Sequence, residues 1–293
     1  MPTTSHAAWW RRSTALTTLL LLLGAAVTAL AAAEPAIELV IGVCPGPYGD
    51  LIKKAIAPGL EAKGFHVEVK EFSDYVQPDI ALGNGGLSAN LFQHQRYLGK
   101  FSADHALQLS PVITVPTASL GIYSHKVHSL EELKQGDVVT LASDPTNLAR
   151  ALRLFALHKL ITLKADIDPT KASERDIAEN PKGLVFHPIE AAQLPRSLDS
   201  VALSAVNGNY AIAAGISLSS ALITEQLSED LKNLIAVRTS DLGTPFVAAL
   251  RQVVESQAFH DAIEDPAQPF HAFQRPDWYT AKWGQPGHDA GGK

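Results

Sequence analysis

The stretch IELVIGVCPGPYGDLIKKAIAPGLEAKGFHVEV, residues 37–69, decides the fold. Its first seven residues form a short apolar run. The turn-formers Pro45, Gly46, Pro47 and Gly49 follow, and Leu51, Ile52, Ala55, Ile56 and Leu60 then share one helical face. Pro58 is expected to kink or divide that helix, because it lacks the N–H and crowds the preceding turn. Gly64 closes the helix, and Phe65, Val67 and Val69 alternate as a second strand. Strand, helix and strand in this order imply a parallel pair joined by a right-handed crossover.

Outward from this unit the pattern recurs. Residues 119–124 read as a strand, 129–132 as a capping box and 138–142 as another strand. Asp144 and Pro145 are an N-cap and a first-turn proline for an apolar helix through Leu148, Leu152, Phe155 and Leu160. Residues 184–186, 201–206 and 234–237 are further short strands, and a helical pattern covers 246–263. Alternating strands and helices predict an α/β protein. The expected architecture is two lobes, each a mainly parallel sheet flanked by helices, with a cleft between them. Residues 34–120 are assigned to the first lobe, 121–235 to the second, 236–280 to a return into the first, and 281–293 to a flexible tail.

Before residue 34, Arg11 and Arg12 precede an uncharged stretch that ends in Ala31, Ala32 and Ala33, the order of a secretory signal peptide over residues 1–33. Cleavage is expected near Glu34. It would take two positive charges from a chain of net charge −6. The basic residues are dispersed, which argues against nucleic acid as a partner. Cys44 is the single cysteine, so no intrachain disulfide can form. It stands well beyond the signal's small residues, so no lipid anchor is expected there. The chain shows no metal-ligand spacing, P-loop, nucleophile elbow or zinc-protease motif; neither a cofactor nor catalysis is expected.

In open α/β sheets ligands bind beyond the carboxyl ends of strands. After residue 142 come Asn147 and Arg150, three apart on one helical face at a helix start, a combination suited to a carboxylate. After residue 206 comes Asn207, whose amide can serve both an ammonium and a carboxylate. Two segments of the first lobe, 72–78 with Tyr75 and 90–94 with Phe92 and His94, read as loops after strands. Their rings could enclose an apolar or thioether side chain.

The strings VCPGPYGDL (43–51), EFSDYVQPD (71–79), ANLFQHQRYL (89–98), SDPTNLARAL (143–152), ENPKGLVF (179–186), EAAQLPRSLD (190–199) and AVNGNYAIAAG (205–215) together resemble the NlpA/MetQ family of methionine receptors. From Ser217 onward only the pattern of elements is similar. The resemblance implies a two-lobed periplasmic binding protein fold, type II-like, that closes over L-methionine in the periplasm. It also implies an inner-membrane ABC permease with its ATPase as partner. Arg150 and Asn147 then look like the carboxylate ligands, Asn207 like the anchor of the amino acid's backbone groups, and Tyr75, Phe92 and His94 like the walls around its side chain. Three departures stand out: Cys44 replaces a small or hydroxyl residue, the lipidation cysteine is missing, and residues 116–121 lack the family's Glu-Pro-Met-Gly pattern. Other readings are a receptor for another amino acid, a methionine derivative or a short peptide, a non-transport envelope protein on the same fold, and an enzyme.

Overall fold

The computed structural model describes residues 36–168 and 171–284. The segment read as a signal peptide, the expected cleavage point and residues 285–293 of the tail lie outside the described residues. Among those described, no helix is long and apolar enough to cross a membrane.

Strand β1 (Ile37–Val43) pairs in parallel with β2 (Phe65–Glu71) and with β3 (Ala89–His94). An edge strand, β4 (Leu109–Thr114), lies on the far side of a late arrival, β12 (Asn233–Arg238), which runs antiparallel to both of its neighbours. The order of this first sheet is β2-β1-β3-β12-β4. A second sheet has the order β11-β5-β10-β6-β9. It comprises β5 (Gly121–Tyr123), β6 (Val138–Ala142), β9 (Val185–Ile189), β10 (Leu203–Val206) and β11 (Ile223–Thr224). Here β6, β9 and β10 are parallel, whereas β5 is antiparallel to β10 and β11. A small pair, β7 (Thr162–Leu163) and β8 (Ile177–Glu179), stands apart. Each five-stranded sheet therefore sends four strands one way and one strand back, the α/β class expected.

Helix α1 covers residues 48–61 and is divided, as its proline requires, by a π turn at Ile52–Ile56 just before Pro58. Its Leu51, Ile56 and Leu60 pack on Leu39, Ile41 and Val43 in the first core. The pattern at 246–263 forms two helices, α6 (Pro245–Val254) and α7 (Gln257–Glu264), because Ser256 caps the second through Phe259 N–H. They close the same core, together with Phe270 and Tyr279. The second core joins Val139, Leu141 and Leu203 to Leu152 and Phe155 of α4 (Pro145–Leu157).

Several expectations are corrected. Residues 90–94 form strand β3, not a loop. Every β3 residue is buried; Asn90 and Gln93 both donate to Oδ1 of Asp79, which lies in α2 (Gln77–Gly83), and Gln93 also donates to Asn90, while Gln93 Oε1 and Asp79 Oδ2 have no partner. Residues 129–132 make a single 3-10 turn, in which Ser129 does not cap through its side chain. Residues 281–283 belong to α8 (Asp277–Trp283).

The chain passes between the sheets twice, over residues 115–120 and 225–232. Gln274 ties both passages. Its backbone pairs with Thr117, and its side chain bonds Ser119 Oγ, the Glu225 carbonyl and Leu227 N–H.

Candidate ligand-binding cleft

The carboxyl ends of β1, β2 and β3 meet those of β6, β9 and β10 across a gap. Between them is a narrow cavity with about 20 Å³ of free space. Tyr75, Phe92, His94, Asn147, Arg150 and Asn207, the six residues singled out from the sequence, all line it. So do Tyr48, Tyr97, Asn209 and Asn233.

The second sheet supplies the polar side. Asp144 caps α4 by accepting Asn147 N–H at 2.9 Å, and it also accepts the Asn147 amide and the Thr146 hydroxyl. The N–H of Asn147 is thus occupied by the N-cap carboxylate and is not open to a ligand. Burial pushes the Asp144 pKa up, against these hydrogen bonds. Arg150, one turn along, is buried and bound to Glu225, with Nε at 2.9 Å from each carboxylate oxygen and Nη2 on Oε2. Burial works against the guanidinium charge, but the adjacent carboxylate outweighs it and Arg150 stays protonated. Its Nη1 has only a 3.4 Å contact with Asn147 Oδ1. The edge of the fork that remains open is the one beside Asn147. Asn207 donates to Asn147 Oδ1 at 2.9 Å, while its own Oδ1 is buried without a partner. An orphaned buried acceptor costs about 1–3 kcal/mol, so this atom calls for a donor that the protein does not supply.

From the first sheet comes the aromatic side. Tyr75 stacks on Phe92 at 5.7 Å between ring centroids, and Tyr97 meets both edge-on. His94 caps α3 (Gln95–Asp104), its Nδ1 accepting Tyr97 N–H at 3.1 Å. The proton must then sit on Nε2, which faces Asn147 Oδ1 at 3.5 Å. Burial, reinforced by the Arg150 charge, lowers the His94 pKa to about 3, so the ring is a neutral donor.

The two sides also touch directly. Tyr75 donates to Asn209 Oδ1 at 2.7 Å, Asn209 donates to the Pro45 carbonyl at 3.0 Å, and Tyr210 reaches the Ser73 carbonyl at 3.4 Å. Gly46 has φ +125, and a Cβ there would lie 2.5 Å from the Asn209 carbonyl oxygen. Only glycine lets these segments meet. Cys44 is buried in the same cluster, and its thiol donates to the Asp74 carbonyl. Among the described residues no group of His, Cys, Asp or Glu could hold a metal. His125, near His128 in sequence, pairs with the exposed Asp199 instead.

Tyr48, Tyr97, Asn209 and Asn233 line the cavity without having been singled out from the sequence, and Glu225, behind Arg150, escaped that reading too. Asn233 opens β12 opposite His94 and donates to the Phe92 carbonyl at 3.0 Å. On a reversed strand the amino end, not the carboxyl end, faces the cleft. Glu225 directly follows β11, which pairs with β5 through Thr224 and Gly121. It obeys the strand-end rule, but two residues leave no periodicity to recognise.

Two α/β sheets joined by two passages, with a lined cavity between their strand ends, define the periplasmic binding-protein class. The chain matches the family described as NlpA lipoprotein over residues 39–274 and belongs to it. This is a family of substrate-binding proteins, not of enzymes. Over 225 residues the chain is 36% identical to the D-methionine-binding lipoprotein MetQ of Salmonella typhi, covering 76% of this chain and 83% of that one. A nutrient binding protein from Burkholderia cenocepacia, solved bound to methionine, is similar with a TM-score of 0.74 at 36% identity, over 78% of this chain and 95% of its own. A periplasmic substrate-binding protein of an ABC transporter from Coxiella burnetii is similar with a TM-score of 0.72 at 38% identity, over 77% and 95%.

Proposed function

We propose that this protein captures L-methionine between its two lobes in the periplasm and hands it to an inner-membrane ABC permease driven by its ATPase. The observation that carries the reading is the convergence, on one cavity, of an open guanidinium edge, an orphaned amide oxygen and a box of rings. The free Nη1 edge of Arg150, with Asn147 beside it, suits the ligand carboxylate. Asn207 Oδ1 suits the ammonium, and Tyr75, Phe92 and His94 suit a thioether chain. The boundary expected at 235 falls inside β12, which lies wholly in the first sheet, so in this reading residues 36–120 with 233–280 move as one lobe and 121–232 as the other. Relatives that bind methionine and serve ABC transport support the ligand class and the partner.

The relatives' names include lipoproteins. Here the single cysteine, Cys44, is buried at the end of β1, a position unsuited to carrying a lipid, and we take the mature protein to diffuse freely. Mass spectrometry of solute released from undialysed protein, followed by titration with L- and D-methionine, tests the reading. Release of methionine and a preference for the L form support it; binding of neither enantiomer overturns it. A second reading, a methionine derivative or short peptide, draws on a neighbouring hollow of about 290 Å³ that shares Tyr75 and Tyr97 with the cavity. Recovery of a longer ligand would favour it.

A further inference from the structure

We propose that Glu225 sets the charge preference of the cleft: by neutralising Arg150 it makes the site select a zwitterion over an anion of the same shape. The inference rests on the reading that Arg150 meets the ligand carboxylate. Its own support is the Arg150–Glu225 geometry. The carboxylate takes the Nε and Nη2 side of the guanidinium, leaving Nη1 for the cavity. The two side chains are 6% and 9% exposed, so water does little to screen either charge. Glu225 is also fixed through its backbone. Its N–H donates to the Leu120 carbonyl at 3.0 Å, and its carbonyl accepts the Gln274 amide at 2.6 Å. The carboxylate is therefore held in place beside Arg150 and is not a mobile surface group.

Of the other charged groups nearby, His94 is neutral, and Asp144, bonded only to neutral donors at the start of α4, is a second buried carboxylate that acts on Arg150 without contacting it. Arg96, bound to Asp230, and Arg153 line the hollow behind Arg150 and Glu225. An uncompensated Arg150 would favour any carboxylate. With Glu225 in place, an anion gains little from the guanidinium's net charge, whereas a zwitterion adds an ammonium that the Glu225 charge attracts and Asn207 Oδ1 can accept. A unit charge several ångströms away at an effective dielectric of about 20 changes affinity by roughly tenfold or more.

The test is calorimetric titration of L-methionine and of 4-(methylthio)butanoate, the same chain without its amine, into the parent, Glu225→Gln and Glu225→Asp. The parent should rank methionine first. Glu225→Gln should narrow the preference for methionine over the butanoate by about tenfold. Glu225→Asp, which keeps the charge, should retain the parent's ratio at lower affinity. A role confined to holding Arg150 in place would weaken both ligands alike. A ratio in Glu225→Gln within about twofold of the parent's overturns the proposal, and so does a parent that binds both ligands equally. Should Glu225→Gln fail to fold, the aspartate variant still decides, because a shifted ratio there contradicts a charge-based preference. If the parent binds no methionine, the reading of the site fails first and this inference falls with it.

Discussion

The two walls of the cleft are built on different physical terms. The wall from the first sheet is a cluster of rings, Tyr75, Phe92 and Tyr97, that belongs to a hydrophobic core. That from the second sheet is a chain of polar groups, Glu225, Arg150, Asn147 and Asn207, each positioned by the next. Rings recognise shape and polarisability, and polar groups recognise charge and direction. A ligand with both an apolar chain and a zwitterionic head must engage both walls, so neither wall alone completes the site. The difference also forecasts how each wall fails: the ring wall through packing, the polar wall through stranded charge.

The sharpest way to break the comparison is Arg150→Ala. Losing a buried partner of the ligand carboxylate should weaken methionine by about 2–5 kcal/mol, more than tenfold in Kd. The same change strands Glu225. It should lower stability by about 3–5 kcal/mol. Arg150→Ala combined with Glu225→Ala should recover much of the melting temperature without recovering binding. Titration and thermal melting of both variants decide this, and methionine affinity within about twofold of the parent in the single variant would return Arg150 to a structural role.

Next in size is Asn207→Ala, which removes the orphaned acceptor. A hydrogen bond to a charged group contributes about 1.5–3 kcal/mol, so methionine should bind at least tenfold more weakly by calorimetry. 4-(Methylthio)butanoate, with no ammonium, should lose less. Equal losses would reassign the amide oxygen.

On the ring wall the effect should be smaller and selective. Phe92→Ala should weaken methionine by about 1–2 kcal/mol through lost apolar contact while leaving alanine or serine nearly unchanged. Because Phe92 also packs in a core, its melting temperature should fall too. A competition assay in which all three amino acids lose alike would show that the ring is only core.

The smallest expected effect lies where the walls meet. With a pKa near 3, His94 stays neutral in the folded protein, so it should add no change in methionine affinity between pH 5 and 8. The stability consequence has a definite sign. The unfolded chain takes up a proton near pH 6.5 and the folded one only near 3, so the His94 contribution falls as pH drops through that window. Replacing His94 by Gln should flatten that slope in pH-dependent melts. Asp79, bonded to Gln93 of the cavity and raised by burial to about 7, can titrate in the same range, so only an affinity change near pH 6.5 that disappears in His94→Gln would falsify the neutral assignment.

What the sequence made legible follows the same division. Apolar runs such as 39–43 and 138–142 announced their strands, because a parallel strand buried on both faces reads as a near-continuous hydrophobic stretch. Strand β3 did not, because its buried positions include Asn90, Gln93 and His94, whose partners lie elsewhere in the chain. Pro111 hid β4, a position tolerated because β4 is an edge strand. The six candidate residues could be found one at a time at strand ends. Glu225 could not, since its meaning lies in a partner 75 residues away.

The central position of β12 carries a consequence for how the molecule is made. On a chain that emerges amino end first, β3 and β4 wait for the strand between them until residues 233–238 have appeared. The second sheet needs only residues 121–224. Its shorter loops close at lower entropic cost, so it should acquire amide protection first in pulse-labelled hydrogen exchange during refolding. The ring wall, although encoded earlier, then depends on the last strand to arrive, and interruption of synthesis before residue 233 would leave a nearly complete polar half-site facing an unfinished partner.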